Sequence, residues 1–260
     1  MDGRCIMKTE IFKFEYKYAG LVDIGSIRFY NQDEVILAPE QGLFAVSDGM
    51  GGLERGGESS QYVKQAFPLV AETCIPLLST ASPEDAAGVL RESLQMISDG
   101  LYRQGNSEGR FRYGATLAGV LLHGDKAVFV CLGDSRGYVL PKYKKNLVQV
   151  TNDMNMAGYL VRKGEMTKEE AKDSPFSSQL TAFVGMPAPA TPETFVVDVK
   201  PGDRILLCSD GLHGMVPERE IAQLMRSGGN PDRICQKLID KANEYGGRDN
   251  ISVVYIHITE

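Results

Sequence analysis

The sequence predicts an α+β fold built largely from antiparallel hairpins. Three observations lead there. Short apolar runs bounded by turn residues recur along most of the chain, which is the signature of strands. Other stretches carry apolar residues at helical spacing or open with helix caps. Several neighbouring runs are joined by tight turns such as "PEQG", "HGDK" and "KPGD", which connect antiparallel strands.

From the N-terminus, strands are expected near 10–18, 33–38 and 43–47, the last two forming a hairpin around "PEQG". A helix follows over 57 to about 78. A second opens at "SPED", with Ser82 as N-cap and Pro83 at the first helical position. Its Leu90, Leu94, Ile97 and Leu101 recur at helical spacing and give it one apolar face. Strands are expected at 115–122, 127–132, 137–141 and 147–150. Residues 151–185 then leave the pattern: they are polar and methionine-rich, and "RKGEMTKEEAKDSP" reads as a short helix within a long excursion. Long excursions from a compact domain are usually functional or disordered. Strands at 194–199 and 204–208 return the chain to the core. Two helices, "VPEREIAQLM" and "NPDRICQKLIDKANEY", and a last strand at 251–258 complete it. Asn230 and Pro231 repeat the capping device of Ser82 and Pro83. No internal repeat, low-complexity tract or linker divides the chain, so one domain over 1–260 is expected.

At 43% hydrophobic and 24% charged, the 260 residues have an ordinary globular composition. A net charge of −6 argues against a basic nucleic-acid footprint. Cys5, Cys74, Cys131, Cys208 and Cys235 show no C-x-x-C spacing and are odd in number, which predicts a reduced, intracellular protein. The start "MDGRCIMKTE" has no apolar signal-peptide core, and no apolar run is long enough to span a bilayer.

The chemistry lies in aspartates at strand ends. Asp33 precedes the first strand of the "PEQG" hairpin and Asp48 follows the second. In an antiparallel pair the start of one strand lies beside the end of its partner, so these two share a rim. The hairpin around "HGDK" places Gly114 and Thr116 at the same end as Asp134. Asp210 leaves the strand at 204–208, and Asp249 enters the last strand. If those two strands are antiparallel, Asp249 joins Asp210. One such carboxylate commonly caps a turn. Five crowded together repel unless protonated or neutralised by cations. An all-oxygen rim without a His or Cys cluster suits hard cations such as Mg²⁺ or Mn²⁺. Such a rim can hold two metals and activate a water between them.

In order, "RFYNQD", "VSDGMGG", "GATL", "GDSRGYVL", "CSDGL" and "GGRDNISVVYI" resemble the motifs of the metal-dependent protein phosphatases, the PPM or protein phosphatase 2C family. The resemblance runs from about residue 19 to the C-terminus, and "DGMGG" with the 151–185 excursion is most similar to the bacterial members. It implies an αββα sandwich of two antiparallel sheets flanked by helix pairs, with 151–185 as a flap subdomain. It implies hydrolysis of phosphoserine and phosphothreonine in proteins, with two Mg²⁺ or Mn²⁺ ions and a third, weaker one. By motif position Asp48 would bridge the two metals, with the Gly49 carbonyl as a further ligand. Asp210 and Asp249 would complete one site, and Asp134 with Asp210 would form the third. Asp33 would hydrogen-bond water on the metals, Gln32 would stand beside it, and Asn250 would order the loop behind Asp249. Arg28 would bind the phosphoryl group, offering two parallel donors. The implied partners are phosphoproteins opposed by a serine/threonine kinase in signalling. The chain is expected to be a free-standing cytoplasmic monomer, binding neither membrane nor nucleic acid.

The chain departs from the family pattern at several points. Gln32 stands where many relatives have Glu, which predicts modestly weaker metal binding. Met50 follows the DG where many eukaryotic members have a histidine, and Met cannot donate a proton. His213 is the one histidine near a motif and reads as a helix-start or surface residue. "NDMN" and "PFSSQL" replace the flap's usual Asp-His and Arg-Asn. "DMNMAG" resembles an EF-hand start, but Gly164 stands at the twelfth position where Glu is needed. Thr116 and Ser135 have no histidine at informative spacing and read as strand-end packing, and "PKYKKN" as a solvated turn.

The residues speak against two rival readings. A cysteine-dependent phosphatase needs Cys and Arg separated by five residues, and Cys131 and Arg136 are separated by four. A catalytically weak member acting as a regulatory binding module would have lost metal aspartates. Asp33, Asp48, Asp210 and Asp249 are all present.

Overall fold

The computed structural model describes residues 6–51, 55–78, 81–105, 113–187 and 189–260. Cys5 and Gly52 lie outside them, and the side chain of Cys74 is not described. In chain order the elements are β1 (Tyr16–Asp23), β2 (Asp33–Ala38), β3 (Leu43–Met50), α1 (Arg55–Leu78) and α2 (Pro83–Gly105). Next come β4 (Gly114–Ala115), β5 (Leu117–His123), β6 (Lys126–Leu132), β7 (Arg136–Leu140) and β8 (Val148–Gln149). After them follow α3 (Met156–Lys163), α4 (Lys168–Lys172), β9 (Glu193–Asp198) and β10 (Arg204–Cys208). The chain ends with α5 (Asp210–His213), α6 (Glu218–Arg226), α7 (Pro231–Glu244) and β11 (Ile251–Ile258).

Two antiparallel sheets form the centre. One has the order β1-β11-β10-β7-β8, the other β2-β3-β5-β6-β9 with β4 paired to β3. The predicted αββα sandwich is therefore observed, and three apolar layers hold it together. Strand residues alternate between layers, because successive side chains point to opposite faces. From β3, Leu43 and Ala45 join α1 and α2, while Phe44 and Val46 enter the layer between the sheets. From β10, Leu206 and Cys208 pack with α6 and α7, while Ile205 and Leu207 meet the other sheet. β11 divides in the same way. Burial on both faces explains why these strands read as continuous apolar runs rather than alternating ones. Each fully buried Phe or Leu contributes about 1.5–3 kcal/mol.

Local capping follows the sequence. The Ser82 hydroxyl accepts from Asp85 N at 3.1 Å, and Asn230 Oδ1 accepts from Arg233 N at 3.0 Å. Among the described residues no helix is long and apolar enough to cross a membrane. Cys131, Cys208 and Cys235 are buried free thiols.

The largest shift from expectation is at the first strand, which covers 16–23 rather than 10–18. β11 decides this: its eight residues pair one to one with β1, from Tyr16 opposite Ile258 to Asp23 opposite Ile251. Residues 11–13 instead pair with the turn at Gly124, and Phe12 is buried between the sheets. The strand expected at 147–150 shortens to Val148–Gln149, which is held at the sheet edge by β7 alone.

Candidate active site

The sandwich brings the carboxylates together at one end. Asp33 and Asp48 are direct partners across β2 and β3. Asp134 follows β6, Asp210 follows β10 as the first residue of α5, and Asp249 precedes β11. Because β10 and β11 run antiparallel, Asp210 and Asp249 meet at the same end of their sheet.

A bridge between the sheets locks this rim. Ser209 donates its hydroxyl to Asp33 Oδ2 at 2.6 Å and accepts from Ser252 N at 2.9 Å. Thr116 holds the neighbouring corner. Its Oγ1 accepts from Asp48 N at 3.2 Å and lies 2.6 Å from Ser135 Oγ. Both hydroxyls are therefore packed into strand ends, in agreement with their expected structural role. Asn155 caps α3 by accepting from Gly158 N at 2.8 Å, and its Nδ2 donates to Asp134 Oδ2 at 3.1 Å.

Asp249 is engaged by Arg28, whose Nη2 donates to its Oδ2 at 2.6 Å. Asn250 pins the loop around Arg28. It donates to Ile24 O at 2.9 Å and to Tyr30 O at 3.0 Å, and accepts from Gln32 N at 2.8 Å. The Gln32 side chain donates to Gly51 O at 3.4 Å. Gly49 and Gly56 are forced to be glycines by each other, because a Cβ on Gly49 would run into the Gly56 carbonyl. The close approach of β3 to the start of α1 thus accounts for the bare backbone beside Asp48.

Burial and mutual repulsion disfavour charge on this rim. Desolvation first, offset by the Ser209 bond and reinforced by Asp210 and Asp249, pushes Asp33 up to about 7. Desolvation and Asp210 push Asp134 up to about 7. Desolvation and Asp249 push Asp210 up to about 6, against the pull of Arg28. Asp48 is raised well above the usual carboxylate range by desolvation and then by Asp33. Asp33 Oδ1 and Asp210 Oδ1 are buried with no hydrogen-bond partner. Two buried, unpartnered oxygens in an all-oxygen donor set fit a hard divalent cation.

The carboxylates do not yet close round a common point. Among the described residues no three His, Cys, Asp or Glu side chains are placed to hold a metal ion as they stand. Arg28 engages Asp249, and Asn155 engages Asp134. The chemistry of the donors, all oxygens with two of them buried and unpartnered, matches a site for a hard cation.

A cavity of about 470 Å³ opens from the rim, lined by Asp134, Asp210 and Asp249 on one side and by residues of α3 and α4 on the other. Arg136 ties its wall together, donating Nε and Nη2 to the two Asp153 oxygens at 2.8 and 2.6 Å. Desolvation and Arg136 lower His213 to about 3, so its imidazole is neutral. Its Nε2 lies 3.1 Å from Asp134 O, and since a carbonyl only accepts, Nε2 carries the proton. The Met50 methyl lies against Gly114.

Sequence reasoning named all five aspartates, Arg28 and Asn250. It missed Ser209, Asn155 and the Arg136–Asp153 pair. The signal for Asn155 was the polar run "NDMN" just before a helix start, where Asn is a favoured cap. Ser209 offered no comparable signal, since its partner Asp33 is 176 residues away.

Comparison with known proteins places these features in context. A family model described as "Protein phosphatase 2C" matches residues 29–233. The serine/threonine phosphatase stp of Listeria monocytogenes is 32% identical over 238 residues, covering 90% of this chain and 92% of that protein. The crystal structure of the Mycobacterium tuberculosis serine/threonine phosphatase PstP/Ppp matches with a TM-score of 0.80 at 30% identity, covering 94% of this chain and 99% of that one. The catalytic domain of PstP in complex with two manganese ions matches at 0.79 with 29% identity, over 94% and 99%.

Proposed function

The chain belongs to the protein phosphatase 2C family, and on that premise we propose that its aspartate rim is the metal centre of a protein-serine/threonine phosphatase. The protein is a metal-dependent serine/threonine phosphatase, a phosphoric monoester hydrolase. The observation that carries the site assignment is the rim itself. Five aspartates from two sheets share one end, and two of their buried oxygens lack partners.

In this reading Asp48, Asp210 and Asp249 would hold two divalent cations, with the Gly49 carbonyl as a further donor. Asp134 and Asp210 offer a third, weaker position. Mg²⁺ and Mn²⁺ are the candidates, because all these donors are hard oxygens. Such cations, when bound, neutralise the rim and lower the pKa of water from 15.7 to roughly 7–9, so hydroxide is available near neutral pH.

The chain's own residues do the rest. Arg28 is half-exposed beside the rim with Nη2 on Asp249 Oδ2, and among the described residues that is the one carboxylate its guanidinium engages. Guanidinium donors in parallel match two phosphoryl oxygens and stabilise charge that develops there. Asp33, fixed by Ser209, presents Oδ1 to accept a proton or a hydrogen bond from water in the rim. Asn250 holds the loop that carries Arg28 and Gln32, so the phosphoryl donor is already in place before substrate arrives. Neither Met50 nor His213 serves as a cationic acid: one has no proton to give, and the other is neutral with its N–H on Asp134 O.

Residues 1–260 are read as one phosphatase domain with 151–185 as its flap. The substrates are phosphoproteins made by an opposing serine/threonine kinase, and the enzyme is read as a cytoplasmic signalling monomer of bacterial type. The test is release of phosphate from a phosphothreonine peptide and from para-nitrophenyl phosphate. Turnover should stop on chelation with EDTA and return with Mn²⁺. Turnover that survives full chelation would remove the metals from the reading.

A further inference from the structure

The loop that carries Arg28 also carries the most exposed aromatic side chain among the described residues. Phe29 is 91% exposed, Ile27 63% and Tyr30 54%. Large apolar side chains open to solvent in one short run mark an interaction surface more often than a packing accident. They flank a cation rather than a chain terminus or a distant helix.

The backbone beneath them is fixed. Ser26 N donates to Gly247 O at 2.7 Å, Gly25 N to Asp23 Oδ1 at 2.8 Å, and Asn250 makes its three bonds to Ile24, Tyr30 and Gln32. Gly25 takes φ of +78° where a Cβ would collide with the Asp249 carbonyl. The loop is thus stapled to the segment that leads into Asp249, while the Ile27 and Phe29 side chains stand exposed on it. A surface held this way loses little backbone entropy when a ligand covers it.

We propose that Ile27 and Phe29 form an apolar platform that selects phosphoprotein segments with an aliphatic side chain next to the phosphorylated residue. The inference rests on the reading of Arg28 as the phosphoryl-binding group. Given that, the geometry follows from chain dimensions. Neighbouring Cα atoms lie about 3.8 Å apart on both chains. A phosphoresidue engaged by Arg28 therefore brings its own neighbours within reach of Ile27 and Phe29, which flank Arg28 in the chain and are exposed. Charged neighbours would be desolvated there without a partner, and aliphatic ones would gain apolar contact.

The experiment uses the Mn²⁺-loaded full chain and three substrates. Two are phosphothreonine peptides differing only in having Leu or Asp on either side of the phosphothreonine, and the third is para-nitrophenyl phosphate. The Leu peptide should show kcat/KM about tenfold above the Asp peptide, the ratio one partly buried aliphatic side chain supplies, carried mainly by KM. In the double variant Ile27→Ser/Phe29→Ser the ratio should collapse towards one. A ratio near one in the unmodified protein overturns the inference, as does a preference that survives in the variant. So does a concentration-dependent dimer in sedimentation that the substitutions dissolve, because a second copy would then own the surface. Hydrolysis of all three substrates without preference overturns the platform alone. Failure to hydrolyse any of them overturns the phosphatase reading and the platform with it.

Discussion

Asp33 and Asp48 stand directly opposite each other across the β2–β3 pair, and only Asp33 has a side-chain hydrogen bond, from Ser209. Two carboxylates in register on one face of a sheet repel, and like charges opposite each other destabilise a strand pair. The fold tolerates this pairing at its rim, and the cost should be visible.

The first expectation concerns pH in the metal-free protein. Unfolded, an aspartate has a pKa of about 3.9. Folded, Asp33 and Asp134 lie near 7 and Asp210 near 6. Between those values the unfolded chain has lost protons that the folded chain still holds, so stability falls as pH rises. With EDTA present, Tm should decline from pH 5 to pH 8. Saturating Mn²⁺ should flatten or reverse that decline. A metal-free Tm that rises over this range would contradict the crowding of the rim.

Asp48→Asn and Asp249→Asn should each lower kcat/KM by more than about 100-fold, since even groups behind a metal ligand can cost that much. Both variants should stay folded, and metal-free Asp48→Asn should be at least as stable as the unmodified protein. Circular dichroism with thermal melting, run beside the assay, separates lost chemistry from lost fold.

Arg28→Ala should weaken phosphate binding without weakening metal binding. The guanidinium holds Asp249, so its removal frees that carboxylate for a cation. Inhibition by inorganic phosphate should weaken by roughly 10-fold or more, the scale of a lost charge-assisted pair. A fall in Mn²⁺ affinity instead would mean that Arg28 helps to build the metal site.

Arg136→Met should be destabilising by about 3–5 kcal/mol, because it strands the buried Asp153 without its partner. Arg136→Met/Asp153→Leu should be less damaging than the single change. Urea unfolding of the unmodified protein and the two variants measures this difference, and a double variant worse than the single would show that the pair does more than cancel charge.

Much of this was legible in the chain. Each rim aspartate ends or begins an apolar run, so hairpin logic sets Asp33 beside Asp48, whereas Asp210 joins Asp249 only because β10 and β11 run antiparallel, which the sequence left as a condition. The first strand was misplaced by six residues because its limits come from pairing with β11, which lies at the other end of the sequence. The sequence points to the Gly49 carbonyl as a ligand but not to the contact with the Gly56 carbonyl, which leaves no room for a Cβ at position 49. Ser209 and Asn155 stayed hidden for another reason. Each acts through one hydrogen bond to an aspartate that only tertiary folding brings near.

Calorimetric titration of Mn²⁺ into the chelator-stripped protein tests the central claim most directly. The rim should take up at least two ions per chain, and Asp48→Asn should lose both high-affinity events, because that carboxylate is read as bridging them. Unchanged stoichiometry and affinity in Asp48→Asn would contradict the assignment of the rim as the metal centre.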